Sequence, residues 1–517
     1  MQIGPRRNYR LIFFIYFQNN PTMKKILFPT SLIMLLFTIS CDEENNPFNN
    51  YYKTDALLYG MESGTSGDGI VDSTSENYYE YIENEFIIVS EQPVSTFSID
   101  ADGGSYSNMR RFFNSVNRPP KEAIRIEEFI NYFTYDYEDP GAGESVSMNY
   151  EISTCPWETG DHLLRIGLKG KSIPENELPP SNFVFLIDVS GSMTSSDKLN
   201  ILKQGFRRMT DQLTQDDRVA IVTYAGSAGV VLQSTSGDHK DKIKEAINKL
   251  GAGGSTAGAQ GIITAYQIAE ENFIEDGNNR IILGSDGDFN VGPFSTEELV
   301  KLIEEKRESG IFLTVLGVGT GNLNDHMMEQ IANNGNGNYE YIDNADQIEK
   351  VFVHERSKFF TVAKDCKFQI TFNEDMVYAY RLIGYENRIL REEDFENDTV
   401  DAGEIGAGQT ITAMYQLKLM DVLNAGAYAE LDFRYKFPDG DQSMLIEESI
   451  LQGPVDINSA SENQRFVTAV TGFGLILRES KFKGSLDKQM IMGLGNGARS
   501  FDPNGYREEC VELMEKL

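Results

Sequence analysis

Within Phe185-Leu186-Ile187-Asp188-Val189-Ser190-Gly191-Ser192-Met193, an apolar run ends in one carboxylate and two hydroxyls. Oxygen donors of this kind suit a hard cation such as Mg²⁺, which takes an octahedron of oxygens and keeps some of its water. Gly191 permits the tight turn that this spacing needs. Two further loops carry matching groups. Gly253-Gly254-Ser255-Thr256-Ala257-Gly258 opens a helical segment, and Ser285-Asp286-Gly287-Asp288 follows the apolar stretch Ile281 to Leu283. A serine-rich loop capping the next helix would explain the first loop's hydroxyls, but not the two loops that match it.

Other chemistries are poorly supplied. Gly251 to Gly261 is glycine-rich but lacks the Gly-Lys-Ser/Thr ending that clamps nucleotide phosphate. Asp-x-Ser-Gly-Ser is not the Gly-x-Ser-x-Gly elbow of hydrolases, and no histidine stands near it as a base. His162, His239, His326 and His354 sit in dissimilar contexts and read as surface or turn residues. Asp100, Asp102, Gly103 and Gly104 lack the glutamate of a calcium-binding EF-hand loop, so they read as a capping turn into a helix at Tyr106. Asp439-Gly440-Asp441 reads as a hairpin turn. The residues therefore point to a binding protein rather than an enzyme, with metal-assisted hydrolysis as the rival chemistry.

The elements that position these loops change character along the chain. Two amphipathic helices are predicted first, one with Tyr106, Met109, Phe112 and Val116 on a face, the next with Ile126, Ile130, Phe133 and Tyr137. Strands with one wet face follow, placing Val146, Met148, Tyr150 and Ile152 inward, then Leu164, Ile166 and Leu168. From Ser181 the strands become continuously apolar: Phe183 to Val189, Val219 to Tyr224, Ile281 to Leu283 and Ile311 to Val318. Helical segments such as Leu199, Leu202, Phe206, Met209 and Leu213 alternate with them, which means a doubly wound α/β sheet, mostly parallel and covered on both faces. In such a sheet, ligands sit at the C-terminal ends of the central strands. Alternation by twos resumes in Cys366 to Phe372, Ile411 to Leu419 and Leu431 to Phe437. Single-faced strands on both sides imply one β-sandwich formed by both flanks, with the α/β block inserted into it. Two separate small sandwiches are the alternative. Ser459 and Glu462 form a capping box ahead of Phe466, Val470, Phe473 and Leu477, and Asp502-Pro503 starts a last helix with Tyr506, Cys510, Leu513 and Leu517.

The three loops together resemble the metal-ion-dependent adhesion site of von Willebrand factor type A (VWA) domains, whose sheet is Rossmann-like. Carried over by motif, the resemblance makes Ser190, Ser192 and Thr256 metal ligands, with Ser255 the alternative to Thr256. Asp188 and Asp286 then act directly or through water. The family usually has Thr where this chain has Ser285. It also grips an Asp or Glu of a partner protein, which completes the coordination of the cation. The resemblance thus implies Mg²⁺, with Mn²⁺ or Ca²⁺ as alternatives, and an adhesive or scaffolding role. Its rival is a structural envelope protein whose metal only stabilises the fold. Four more segments extend the likeness: Thr96-Phe97-Ser98-Ile99-Asp100, Arg125-Ile126-Glu127-Glu128, Tyr224-Ala225-Gly226 and Gly384-Tyr385-Glu386-Asn387-Arg388. They look like bacterial proteins of the YfbK family, in which an N-terminal region and a C-terminal region of unknown function flank a VWA domain. That likeness covers Ser95 to Leu517 and carries no settled activity.

Composition and address complete the reading. The 517 residues suggest roughly two to four domains. With 79 acidic against 46 basic side chains, the net charge of −33 argues against nucleic-acid binding, which rests on Lys and Arg neutralising phosphate. Lys24 and Lys25 followed by the apolar run Ile26 to Ile39 fit a secretory signal, with Met23 as the true start. Ser40-Cys41 ahead of Asp42-Glu43-Glu44 resembles the lipobox of bacterial lipoproteins, in which Cys41 takes the lipid. The acids behind it are similar to a surface-export signal of some such proteins. The expected organisation is a lipoprotein leader over 1–41, an acidic flexible tether over 42–94 and helices plus strands over 95–180. A VWA domain over 181–355, sandwich strands over 356–458 and helices over 459–517 follow. The expected location is the bacterial envelope, as an outer-membrane lipoprotein on the periplasmic or surface face. The membrane is met only through that anchor. An oxidising envelope would allow Cys155 and Cys366 to form a bridge, whereas Cys510 reads as a packed thiol.

Overall fold

The computed structural model describes residues 76–517, apart from 80, 101, 116, 226, 254–257, 288–295, 308, 399, 401, 421–425 and 439. The expected leader, the expected lipid attachment residue Cys41, Ser255, Thr256 and Asp288 lie outside the described residues. Among the described residues, no helix is long and apolar enough to cross a membrane.

The chain begins with β1 (Ile87–Ile88), β2 (Val94–Ser98), α1 (Gly104–Asn114), α2 (Ile126–Asn131), β3 (Val146–Thr154) and β4 (Asp161–Gly170). A central block follows: β5 (Ser181–Asp188), α3 (Leu199–Gln212), β6 (Arg218–Ala225), β7 (Ser227–Ser236), α4 (Lys240–Lys249) and α5 (Gly258–Glu271). It continues with β8 (Asn278–Ser285), α6 (Thr296–Arg307), β9 (Phe312–Val318), α7 (Asp325–Asn334), β10 (Tyr339–Ile342) and α8 (Ala345–Glu349). Strands return as β11 (Thr361–Phe372), β12 (Val377–Ile383), β13 (Ile389–Leu390), β14 (Gly403–Gly406), β15 (Thr410–Leu419), β16 (Ala429–Lys436) and β17 (Ser443–Ser449). Helices α9 (Glu462–Leu477), α10 (Lys488–Asn496) and α11 (Tyr506–Met514) end it.

The central block is a six-stranded sheet in the order β10-β9-β8-β5-β6-β7, parallel except for the antiparallel edge strand β7. β5 and β8 are buried along their whole length, which is why their sequences are continuously apolar. Successive residues of β5 serve opposite faces. Phe183, Phe185 and Ile187 join one core, whereas Val184 and Leu186 join another with Ile262, Tyr266 and Leu299.

Both flanking sheets draw strands from the two sides of this block. One has the order β1-β12-β15-β4-β3, and the other β13-β2-β11-β16-β17, with β14 also on β11. They face each other through a shared core in which Phe372 stacks on Tyr380 at 4.4 Å and Phe97 meets Tyr415 edge-on at 6.3 Å. The fold is therefore α/β, a doubly wound sheet inserted into a single β-sandwich built by both flanks. Two separate small sandwiches are excluded, because β2 pairs with β11 and β4 with β15.

Several expectations are corrected. The sheet containing β15 has no wide wet face. Leu163, Ile383 and Met414 point into a second core with Phe129, Phe466 and Phe473, so the helices form a covering layer. The expected flexible tether over 42–94 is packed in its described part. Asn77 donates its N–H to the Leu323 carbonyl at 2.9 Å, Asn84 donates to the Gly384 carbonyl at 2.9 Å, and β1 pairs with β12. Polar composition hid this docking, in which Val89 is buried in the sandwich core, Phe86 meets Phe482 edge-on at 5.9 Å and Glu76 pairs with Arg111 at 2.7 Å. The second predicted helix stops at Asn131, since Tyr135 N–H turns to the Thr410 hydroxyl at 3.2 Å. Ser461, not Ser459, caps α9, accepting from Gln464 N–H at 3.1 Å, while Glu462 accepts from Ser500 instead. Asp100 and Asp102 do not cap α1. Its Ser105 N–H is met by Glu128 Oε2 at 2.7 Å. Cys155 and Cys366 are both free and buried. They cannot serve as one bridge, because Cys155 belongs to the helical core and Cys366 to the sandwich core. Cys510 is a packed thiol.

Candidate functional site

β5 and β8 are adjacent parallel strands, with Ile187 opposite Gly284, so their C-terminal ends lie side by side. That register delivers Asp188 and Ser285 to the same edge. Ser285 Oγ donates to Asp188 Oδ2 at 3.2 Å, and Ser190 N–H donates to Asp188 Oδ1 at 2.8 Å. Beyond the turn, the hydroxyls of Ser190 and Ser192 share a hydrogen bond at 2.8 Å. Met193 is fully buried beneath this loop and pins it to the core. The second loop starts against the first, where Gly253 N–H donates to the Val189 carbonyl at 2.8 Å. The expected residues Asp188, Ser190, Ser192 and Asp286 are thus one cluster, and Thr256 is outside the described residues.

The two carboxylates have different electrostatics. Burial pushes Asp188 up to about 6, although hydrogen bonds from Ser190 and Ser285 pull the other way. Burial also opposes charge on Asp286, but hydrogen bonds from Lys198, Asn322 and Ser192 outweigh it and hold this carboxyl below its ordinary range. Lys198 Nζ lies 2.9 Å from Asp286 Oδ2 and 2.6 Å from Asn322 Oδ1, and Asn322 Nδ2 donates to the same aspartate oxygen at 3.1 Å. Sequence reasoning missed both Lys198 and Asn322. One signal was present: Lys198 is the residue just before α3, where a positive charge opposes the helix dipole unless it has a partner.

The donor set fits a hard divalent cation. Two hydroxyl oxygens converge between two carboxylates, and one of those carboxylates is held where burial penalises its charge, a penalty that a cation would relieve. Among the described residues, no group of three or more His, Cys, Asp or Glu side chains is arranged to hold a metal. The described donors at the site are hydroxyls and carboxylates, which suit a hard cation rather than a soft one.

Three of the four other motif segments gather elsewhere, in a buried acid–arginine junction, whereas Tyr224 of the fourth lies beside Asp188 and Ser285. Arg125 pairs with Glu128 of its own segment and with Asp325 of α7. Arg388 pairs with Asp100 at 3.0 Å and donates to Asn333 at 2.8 Å, and Asn387 donates to Glu329 at 2.6 Å. Asp100, Asp102, Glu127, Glu128, Asp325 and Glu329 are each almost fully buried.

A doubly wound sheet with Asp-x-Ser-Gly-Ser at the end of a central strand defines a VWA-domain protein, and the family profile described as von Willebrand factor type A domain matches residues 182–354. A profile described as von Willebrand factor matches 72–165, and one described as the C-terminal region of uncharacterized protein YfbK matches 357–517. Uncharacterized protein YfbK of Escherichia coli (strain K12) is 41% identical over 487 residues, spanning 89% of this chain and 84% of that protein. The chain belongs to the YfbK family. An uncharacterized Synechocystis protein, sll0103, is 28% identical over 37% of this chain, which spans 44% of that protein's length. Among solved structures, von Willebrand factor type A from Catenulispora acidiphila aligns over 73% of this chain and 91% of that one, at 15% identity and a TM-score of 0.41. VWA domains commonly mediate protein–protein interaction, and proteins of this kind are generally binding or scaffold proteins rather than enzymes.

Proposed function

We propose that this protein is a divalent-cation-dependent adhesion or scaffolding lipoprotein of the bacterial envelope, and not an enzyme. Ser190, Ser192 and Thr256 hold the cation, Asp188 and Asp286 act directly or through water, and an Asp or Glu of a partner protein completes the coordination. The cation is Mg²⁺, with Mn²⁺ or Ca²⁺ able to take its place. Cys41 carries the lipid, and residues ahead of the packed segment at 76 form the tether to the outer membrane. The observation that carries this reading is the convergence of the Ser190 and Ser192 hydroxyls, 2.8 Å apart, beside Asp188 at the C-terminal edge of the central sheet. When bound, the cation supplies Lewis acidity, and neutral hydroxyl ligands leave it enough positive charge to attract an outside carboxylate. Against an enzyme, the two serines hydrogen-bond to each other and to aspartates, and neither has a histidine partner of the kind a nucleophile needs.

The experiment is capture of envelope proteins by the full-length chain, with and without EDTA, and in parallel by Asp188→Ala. Chelation and the substitution should each abolish the same captured band, with the circular dichroism spectrum unchanged. Capture that persists in both arms would reject the reading. A purely structural metal predicts instead that the melting temperature falls with chelation while capture follows only the folded fraction.

A further inference from the structure

Lys198 is built into the cation site rather than lying beside it. Its side chain is 7% exposed, and its ammonium is shared between Asp286 Oδ2 and Asn322 Oδ1. The aliphatic stem passes directly over Gly319, whose φ of +80° suits glycine and where an added Cβ would collide with the lysine carbons. Space has therefore been left for this lysine at a backbone position that disfavours other residues. Its place before α3 gains nothing from the helix dipole.

We infer that Lys198 sets the charge of the site so that a bound divalent cation remains in need of exactly one external carboxylate, an inference that rests on the cation reading above. Formal charges give the reason. Among the described residues of the site, Asp188 and Asp286 contribute −2 and Lys198 contributes +1, leaving −1. A divalent cation brings the total to +1, and one carboxylate from a partner brings it to zero. Without the lysine, the loaded site is already neutral and the carboxylate loses its electrostatic incentive. Lys198 thus weakens cation binding and strengthens carboxylate binding. It is a specificity-determining residue that acts through Asp286.

The two effects have opposite signs, which separates them from simple damage to the fold. Mn²⁺ is titrated into the full-length chain and into Lys198→Met, with free Mn²⁺ followed by electron paramagnetic resonance. Sodium acetate is then added while water-proton relaxation reports displacement of water from bound Mn²⁺. A unit charge about 4 to 8 Å from another at an effective permittivity of about 20 changes binding by roughly 1,000- to 30-fold, and by more for a divalent cation. Lys198→Met should therefore bind Mn²⁺ tighter by at least about 30-fold and acetate weaker by at least about tenfold. Lys198→Arg, which keeps the charge, should stay close to the parent in both, and Lys198→Gln provides a second neutral variant if the methionine form is unstable. Affinities for Mn²⁺ and acetate that fall together, or an arginine variant that behaves like methionine, would overturn the inference. A parent protein that binds no Mn²⁺ at all would instead reject the cation site itself, and this inference with it.

Discussion

Gly287 shows how little room the site leaves for substitution. Its φ is +85°, and a Cβ there would run into the Asn324 backbone nitrogen. Its N–H donates to Ser285 Oγ at 3.2 Å, and that hydroxyl in turn donates to Asp188. One backbone position thus props the chain of hydrogen bonds that orients the first carboxylate. Gly287→Ala should cost about 1–3 kcal/mol, read as a lower urea midpoint, because the strain and the collision act on the same residue. An unchanged midpoint would mean that the loop relaxes freely. Asp188 and Ser190 were legible from sequence because both lie on one short loop. Lys198 and Asn322 were not, since the first meets Asp286 across 88 residues and the second across 36.

At the scale of elements, the helical layer depends on α9, which is buried along most of its length between the sheet and its neighbouring helices. Its first turn is satisfied by Ser461, whose hydroxyl accepts from Gln464 N–H and also donates to Glu151 of β3. Ser461→Ala should therefore destabilise the protein by about 1 kcal/mol, the usual value of an N-cap. Ser459→Ala should stay within about 0.5 kcal/mol, since Ser459 sits in a short turn ahead of the cap. Urea midpoints of the two variants discriminate between these caps. Sequence spacing favoured Ser459 because Glu stands three residues on; the structure gives Glu462 to Ser500 instead. Strand periodicity was a better guide. It distinguishes strands buried on both faces, such as β5, from strands with an exposed side, such as β16, because the pattern records burial directly.

For the molecule as a whole, the acid–arginine junction ties the N-terminal flank to α7 of the central block and to the C-terminal flank. Arg125→Ala would strand Asp325 without its buried counter-charge and Glu128 without its hydrogen-bond donor, and should cost about 3–5 kcal/mol, measured as a loss of unfolding free energy. Burial pushes Glu128 up to about 8, opposed by Arg125 and reinforced by the Asp100 and Glu329 charges, and burial also raises Asp102, Glu127, Glu329 and Glu386. Between the ordinary carboxylate value of 4.5 and about 8, the folded chain keeps a proton on Glu128 that the unfolded chain has released. Stability must then fall as pH rises through that window, at up to about 1.4 kcal/mol per pH unit for each such group. Melting temperatures at pH 5, 6, 7 and 8 should decline, and Glu128→Gln should flatten the slope. A parent protein most stable at pH 8 would contradict the assignment.

By itself the sequence determined the type of each main strand, the oxygen-rich chemistry of the Asp188 loop and the alternation of flank, block and flank. All of these follow from the burial pattern and spacing of residues close together in the chain. Tertiary structure alone decided that Arg125 meets Asp325 across 200 residues, that Lys198 enters the Asp286 site, and that residues 76–94 pack onto the fold. Hydrophobic periodicity says which face of an element is buried. It does not say which distant charge or backbone group will satisfy a polar side chain there, because that partner is selected only when the sheets and helices close around it.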